Sequence, residues 1–329
     1  MQEIVLELSF VIALSLIIGL GSSMVGISGG AFKTPMLIII FGLTTHFSTA
    51  VSLFSALFLA IPSSIQYYRQ DRKSISTRIG FTIAAFSVPG VIVGVLVKSV
   101  IVDDYVLRII FGASLFPIAM MMMLTRRKES DTKSCSVIEE YDHSKCSSLQ
   151  WTIFAIGSIV AGFAAGLLGL GGGTIVVPAM CIILGMPMVM AAATSVFAMI
   201  FTASAGTIVN YAIVAQTGNL YSFLFYSLAI GAGMIVGSQI GPKYACKFDG
   251  VLLRRIFGVI LVFPLVQMMN IGKFLLNPYG VDYLMETLGD ILVWIIVIIS
   301  HSFVWLYWFI STSHFHSSIN RAEDSRLTP

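Results

Sequence analysis

The amino-acid sequence predicts an all-α, polytopic membrane protein with two inverted-topology repeats, a Gly-broken short helix in each repeat, and an extra C-terminal helix. The first observation behind this prediction is composition. Hydrophobic residues make up 57% of the 329 residues and charged residues only 11%, whereas a soluble domain has about 25% charged residues. Because so few charges cannot cover a surface in water, much of the surface must face lipid. The second observation is an internal repeat that contains glycine-rich breaks.

Nine segments have roughly the length and composition of a membrane-spanning helix, which needs about 20 mainly apolar residues. Those of the first half are 4–24, 46–68, 79–98 and 105–124. Those of the second half are 151–168, 188–214, 220–241 and 255–272. The last is 290–310. Two further apolar segments, 31–43 and 174–186, are too short to cross the membrane alone.

The two halves repeat each other at a constant offset of 143 residues, as from Gly26 to Gly169. Matches of glycine, proline and tyrosine at one offset are much rarer by chance than matches between apolar residues. They include Gly29–Gly30 with Gly172–Gly173, Pro35 with Pro178, Tyr68 with Tyr211, and Gly90 with Gly233. The predicted domains are a first membrane repeat (1–125), a cytoplasmic linker (126–150), a second membrane repeat (151–272), an outer loop with the extra helix (273–312), and a polar tail (313–329).

The positions of lysine and arginine predict the orientation, because cytoplasmic loops are enriched in both. The loops at 69–78, 125–150 and 242–255 are rich in these cations and are assigned to the cytoplasm. The loop near 215, which is the repeat partner of 69–78, is poor in them and is assigned to the outside. We therefore expect the two halves to insert in opposite directions in the cell membrane, with the N-terminus outside and the C-terminus in the cytoplasm.

Each half has a glycine-rich break, from Gly26 to Pro35 and from Gly169 to Pro178. Glycines weaken a helix by about 1 kcal/mol each relative to alanine, and proline suits the first turn of a new helix. Unwound backbone inside a membrane must be satisfied by protein or water, so the breaks predict a polar cavity. Two such breaks in oppositely inserted halves are typical of a transporter's central site. A helix start favours an anion, and Lys33 adds a positive charge that is expensive in hydrocarbon.

The predicted substrate-binding residues lie in the two breaks and on the long helices that follow them. They are Ser28, Gly29, Gly30, Lys33, Thr34, Ser52, Gly171, Gly172, Gly173, Thr174, Ser195 and Asn210. For Ser52, Ser195 and Asn210, interhelical hydrogen bonding is an equal alternative. For Lys33 the alternative is snorkelling to a surface. The Gly90-x-x-x-Gly94 and Gly162-x-x-x-Gly166 patterns are assigned to close helix packing.

The glycine-rich motifs and the duplication resemble the sulfite exporter TauE/SafE family of membrane permeases over about residues 5–272. The pattern Gly-x-Gly-Gly-Gly-x-x-x-x-Pro stands at Gly169–Pro178, whereas the first half departs from it with Ser28 and Lys33. The resemblance implies an exporter of sulfite, sulfonates or similar small sulfur-containing anions. The paired breaks of two inverted units, together with Lys33, indicate that it works by alternating access at a central site. The departure in the first half indicates an altered substrate preference.

Other function classes have less support in the sequence. The spans show no cluster of His, Asp and Glu and no Ser–His arrangement, so we expect no enzyme activity, cofactor or metal. An anion channel is the main alternative, and an intramembrane enzyme is a weaker one. A net charge of +3 without a separate basic domain argues against nucleic acid. The expected partners are the small anionic substrate and the lipid bilayer, while the oligomeric state and the roles of the last helix, Cys135 and Cys146 are left open.

Overall fold

The computed structural model of the chain describes residues 2–70, 75–101, 103–124 and 147–245. Within these ranges it contains helices and no strand. The helices of the first half are α1 (Gln2–Val25), α2 (Gly30–Phe41), α3 (Thr45–Gln70), α4 (Thr77–Val100) and α5 (Asp104–Leu124). Those of the second half are α6 (Ser148–Leu168), α7 (Gly173–Ile182), α8 (Met188–Gln216) and α9 (Leu220–Ala245). The all-α prediction is confirmed for this part of the chain.

Six of these helices are long and apolar enough to cross a membrane, namely α1, α3, α4, α6, α8 and α9. The short helices α2 and α7 form where the two short segments are predicted, and α5 forms at the predicted span 105–124 but is not among the six. The chain is therefore a multi-pass membrane protein. The predicted spans 255–272 and 290–310, most of the linker, and the tail lie outside the described residues, so the domain boundaries stay a prediction.

Local signals fix several helix ends. α6 begins with a capping box, in which the backbone N–H of Ser147 donates to Oε1 of Gln150 at 2.9 Å. α2 ends at Gly42, whose φ of 63° is left-handed, and the N–H of Leu43 donates back to the carbonyl oxygen of Leu37 at 3.3 Å. This is a common way to end a helix at glycine. The short length of α2 is thus set by glycine at both ends.

The two halves interlock instead of forming two separate bundles. α1 packs along α9 and α4 packs along α6, so each of these long interfaces joins one helix from each half. The exchange is symmetric, because α1 and α6 are repeat equivalents, as are α4 and α9. In the same way α3 contacts α9 and α8 contacts α4, and α3 and α8 contact each other. The repeat in the sequence is therefore matched by a two-fold exchange in the packing.

The repeat-equivalent helices α3 and α8 run antiparallel. Lys98 Nζ joins Thr49 Oγ1, near the start of α3, to Asn210 Oδ1, near the end of α8, at 3.2 Å and 2.7 Å. One turn further along α3, Leu53 packs against Gly206, which lies one turn back along α8. An antiparallel pair of equivalent helices is what an inverted repeat requires. The direction in which each half enters the membrane stays a prediction.

Glycines allow the closest approaches between helices. A Cβ on Gly94 of α4 would overlap the carbonyl oxygen of Phe163 in α6, and a Cβ on Gly162 of α6 would overlap that of Ser87 in α4. Gly237 of α9 approaches the backbone of α1 in the same way. The assignment of these glycine patterns to close helix packing is confirmed.

We expect Gly162→Ala to destabilise the protein by about 1–3 kcal/mol, the usual cost of overpacking, because its methyl group would meet backbone atoms of α4. Gly157→Ala on the same helix is a matched control, since no atom lies within 4 Å of a Cβ there. Alanine is the better helix former, so this control should be neutral or slightly stabilising. Thermal unfolding in detergent measures both, and equal melting temperatures would contradict the packing role.

Candidate functional site

The two helix breaks are made by glycines in left-handed backbone conformations. Between α1 and α2, Gly26 and Gly29 have φ angles of 82° and 71°. Between α6 and α7, Gly169, Gly171 and Gly172 have φ angles of 69°, 66° and 77°. Residues with a Cβ rarely adopt such angles, whereas glycine does so readily. The breaks predicted for both halves are therefore present, and their conformation explains the use of glycine.

The two breaks lie in direct contact with each other. Ser28 Oγ, from the first break, donates a hydrogen bond to the carbonyl oxygen of Leu170 in the second at 2.7 Å. A Cβ on Gly30 would overlap the carbonyl oxygen of Gly169, and a Cβ on Gly171 would overlap the side chain of Ser28. The two breaks therefore lie so close together that a side chain at Gly30 or Gly171 would not fit between them.

The contact between the breaks is closed in this structure. All twelve residues predicted to bind substrate are buried. The polar cavity expected from the sequence is therefore not open to solvent here, because the two breaks touch. A ligand could reach this place only when the breaks move apart.

Lys33 places a positive charge beside the contact. Its side chain is 0% exposed, and its Nζ donates to the carbonyl oxygen of Ser52 at 2.8 Å and to Ser55 Oγ at 3.0 Å. Ser52 Oγ in turn donates to the carbonyl oxygen of Gly169 at 3.0 Å. Lys33 of the first half is thus linked through α3 to the break of the second half, and the alternative that it snorkels to a surface is wrong.

The backbone amides near the starts of α2 and α7 are partly satisfied. The N–H of Gly30 donates to Ser28 Oγ at 3.1 Å. The N–H of Val176 donates to the carbonyl oxygen of Gly172 at 3.1 Å. The N–H of Gly30 at the start of α2 is therefore already bonded within the protein, whereas the N–H of Val176 makes the first regular hydrogen bond of α7. That the helix starts favour an anion stays a prediction.

Several hydroxyls near the breaks have no hydrogen-bond partner. Thr34 Oγ1 near the start of α2 and Thr174 Oγ1 near the start of α7 are both buried and unpartnered. Ser22 Oγ is also unpartnered and lies 2.8 Å from where a Cβ on Gly29 would be. Nearly all buried polar atoms in native proteins are hydrogen-bonded. These hydroxyls therefore mark positions where a bound ligand or water would make bonds.

The remaining predicted residues divide between two places. Ser195 lies at the second break, where its Oγ is 2.9 Å from the position of a Cβ on Gly173. Asn210 lies elsewhere: its Oδ1 accepts from Lys98 Nζ at 2.7 Å, and its Nδ2 donates to the carbonyl oxygen of Gly206 at 2.9 Å. The sequence groups Asn210 with the breaks, but the structure places it beside a second lysine.

Lys98 is a functional candidate that the sequence analysis missed. Its side chain is 4% exposed, and its Nζ also donates to Thr49 Oγ1 at 3.2 Å. It was taken as the last residue of the span 79–98, where a lysine is unremarkable. The signal that marks it is the apolar sequence on both sides, since Val100 and Ile101 follow it.

Two basic side chains are buried in the described helices. Among the side chains whose burial the structure describes, Lys33 and Lys98 are the buried charged ones, and neither forms an ion pair with a described carboxylate, whereas Arg108 pairs with Asp104. A buried charge is costly unless it is paired, so a negatively charged ligand would complement the two lysines. Within the same ranges no group of three or more His, Cys, Asp or Glu side chains could hold a metal ion.

Comparison with known proteins identifies a family. The family model described as Sulfite exporter TauE/SafE matches residues 11–268, which is well over half of the chain. No solved protein structure matches the chain significantly.

Curated relatives are described as membrane transporters. The chain is 27% identical to the probable membrane transporter protein YunE of Bacillus subtilis, over 81% of the chain and 100% of that protein. It is 28% identical to a probable membrane transporter protein of Methanocaldococcus jannaschii, over 80% of the chain and 97% of that protein. A probable membrane transporter protein of Xylella fastidiosa is 24% identical over 75% of the chain.

Proposed function

The chain belongs to the sulfite exporter TauE/SafE family, and from this premise we propose that it carries small sulfur-containing anions, such as sulfite or sulfonates, across the cell membrane. The described relatives are probable membrane transporters, which supports the transporter class. Beyond the transporter class, we propose a substrate, a binding site and a mechanism. The family description names export, and export is the direction we propose.

The observation that carries the proposal is the buried ammonium group of Lys33 at the contact of the two breaks. It has no carboxylate partner among the described residues. An ammonium group has three N–H donors, and Lys33 uses two of them on α3. The third donor and the uncompensated charge would suit an oxyanion, whose oxygens are strong acceptors.

The surroundings of Lys33 fit a small polar ligand. The unpartnered hydroxyls of Thr34 and Thr174 lie near the starts of the two short helices, and hydroxyls can donate to sulfite or sulfonate oxygens. The predicted binding residues Ser28, Ser52 and Ser195 also lie at the breaks. We include them, with the glycines of both breaks, in the proposed site.

The closed contact favours a carrier over an open pore. The two breaks belong to different halves and touch each other through backbone atoms. A relative movement of the halves would separate them and admit an anion from one side, as alternating access requires. In this proposal the halves insert in opposite directions, with the N-terminus outside and the C-terminus in the cytoplasm. An anion channel is the alternative, and it would need a continuous opening past this contact.

Purified protein in proteoliposomes tests the proposal. We expect uptake of radiolabelled sulfite above that of protein-free liposomes, and competition by an unlabelled short sulfonate but not by an uncharged analogue. Preloading the liposomes with unlabelled sulfite should accelerate the uptake, because carriers show counterflow and channels do not. Uptake without counterflow would favour the channel, and folded protein that moves no small oxyanion would refute the proposed function.

A further inference from the structure

One side of α3, near its start, forms a continuous polar line. The line consists of Thr45, Ser48, Thr49, Ser52 and Ser55, each of them 0% exposed. Residues three or four positions apart lie on the same face of a helix, so these side chains follow one another along the helix axis. The line leads from the start of α3 to the contact between the breaks.

Three cations bond to hydroxyls of this polar line. They are Arg108 Nε to Thr45 Oγ1 at 3.3 Å, Lys98 Nζ to Thr49 Oγ1 at 3.2 Å, and Lys33 Nζ to Ser55 Oγ at 3.0 Å. At 1.5 Å per residue, the hydroxyl-bearing residues are about 6 Å and then about 9 Å apart along α3. The hydroxyls that bind the cations are therefore spaced at short intervals along α3, and a small oxyanion could cross from one to the next.

The three cations differ in exposure in a regular order. The side chain of Arg108 is 38% exposed and is paired with Asp104 at 3.1 Å. Lys98 is 4% exposed and Lys33 is 0% exposed. The order from exposed to buried follows the polar line from the start of α3 towards the breaks. Lys98 thus occupies an intermediate position between a partly exposed cation and the closed contact.

The second half keeps the fold without these cations. At the 143-residue offset, the line Thr45, Ser48, Thr49, Ser52 and Ser55 becomes Met188, Ala191, Ala192, Ser195 and Ala198. Val176 stands opposite Lys33, and Gly241 stands opposite Lys98. These two equivalents are buried as well. Because apolar residues suffice for packing at the equivalent positions, packing alone does not account for Lys33 and Lys98.

Lys98 also has unused bonding capacity. It donates to two described acceptors, Thr49 and Asn210, which leaves one of its three N–H donors. On the same stretch of α3, Ser48 Oγ and His46 Nε2 are buried and have no hydrogen-bond partner. Unpartnered polar groups and an unpaired cation therefore occur together at this level of α3.

We propose that Lys98, Thr49 and Asn210 form a second binding position for a small oxyanion, between Arg108 and the Lys33 site. The anion class rests on the proposed function, but binding at this position does not require that transport occurs. Lys98 supplies the charge and a free donor, and Thr49 and Asn210 hold its ammonium group in place. An anion travelling along α3 would stop here before it reaches the breaks.

Equilibrium binding of radiolabelled sulfite to the purified full chain in detergent tests this position. Lys33→Met removes the central position, so the residual binding of that variant reports the second one. Adding Asn210→Asp places a carboxylate beside Lys98 with almost no change in size. We expect it to act as an internal counter-ion and to lower the residual binding at least about tenfold, the loss of one charge-assisted hydrogen bond. Adding Lys243→Met instead, which changes an exposed residue of α9, should leave the residual sulfite binding unchanged.

The Asn210→Asp substitution distinguishes a role of Lys98 in binding sulfite from a purely structural role. A carboxylate at position 210 would hold Lys98 at least as firmly as the amide does, so a purely structural role predicts unchanged binding. Lys98→Met in the Lys33→Met background is the second variant and should lower the residual binding to a similar degree. The proposal is overturned if Lys33→Met binds no sulfite at all, or if the folded Asn210→Asp and Lys98→Met variants bind as well as their parent.

Transport distinguishes a failure of this inference from a failure of the proposed function. Lys98→Met alone is expected to slow sulfite transport in proteoliposomes at least about tenfold. If the wild type moves no sulfite but binds it through Lys98, the proposed function fails and the second position stands. If the wild type transports sulfite and neither change at the second position alters binding, only the second position is wrong.

Discussion

Lys33→Met is expected to lower the rate of sulfite transport about 10- to 100-fold, because it removes a charge-assisted contact worth about 1.5–3 kcal/mol. The same change should leave the melting temperature unchanged or raised. Methionine resembles lysine in length, and replacing a buried charge by an apolar group of similar volume is often neutral or stabilising. The hydrogen bonds lost are those to Ser52 and Ser55, and these two residues also bond to each other. A variant that is as stable as the wild type and far less active would assign Lys33 to the substrate.

Initial rates in proteoliposomes and melting curves in detergent measure these two effects. Melting curves recorded with and without sulfite add a third, since a ligand that binds the folded state raises its stability. The stabilisation by sulfite should fall in Lys33→Met to the part that the second position contributes, and it should persist in full in Lys243→Met, the exposed control. Wild-type rates and undiminished stabilisation in Lys33→Met would remove this residue from the site.

Gly30→Ala is expected to abolish most transport, because the added methyl group prevents the two breaks from closing on each other. Its Cβ would overlap the carbonyl oxygen of Gly169 and lie 2.9 Å from Cα of Leu170, both of them backbone atoms. Overpacking of this kind costs about 1–3 kcal/mol. If the transport cycle requires the state in which the two breaks touch, that cost lowers the population of this state about 5- to 150-fold.

Gly162→Ala is the matched control for this effect. Its Cβ also overlaps a backbone carbonyl oxygen, but in the interface between α4 and α6 and not at the breaks. Both variants should lose thermal stability. Both changes lie between the two halves, but Gly30→Ala should lose far more transport than Gly162→Ala when rates are normalised to folded protein. Equal losses of transport in both would show that general loosening, and not the contact of the breaks, limits the rate.

The fold could be predicted from the sequence because its signals are local. Apolar length and composition predict α4 at 79–98, and the structure has it at Thr77–Val100. Clustered glycines predict both breaks, and these glycines have positive φ angles in the structure. Because the break recurs at a fixed offset, the sequence also indicates that the two breaks are equivalent parts of one duplicated fold. The differences at helix ends arise where polar residues such as Thr77 and Arg78 extend a helix beyond its apolar segment.

The candidate site could be predicted only in part, because its bonds join residues far apart in the chain. Nothing local to Lys98 indicates that Thr49 and Asn210 receive its ammonium group. The sequence also treats Gly29 and Gly30 as equivalent to Gly172 and Gly173. In the structure a Cβ on Gly29 would lie 2.8 Å from side-chain atoms of Ile18 and Ser22, whereas a Cβ on its equivalent Gly172 would meet nothing closer than 3.7 Å. Repeated residues thus predict where a break lies, but not how closely each of its glycines approaches neighbouring atoms.

The interlocked packing of the halves bears on how such a protein can arise. α1 depends on α9 and α4 depends on α6, so a single repeat made alone would leave the glycine faces of its first and fourth helices bare. In the predicted inverted topology, a one-repeat ancestor would be complete only as a pair of identical copies inserted through the membrane in opposite directions. Once two copies are fused into one chain, their sequences need not stay identical. One half can then hold both buried lysines, while valine and glycine occupy the matching positions of the other half.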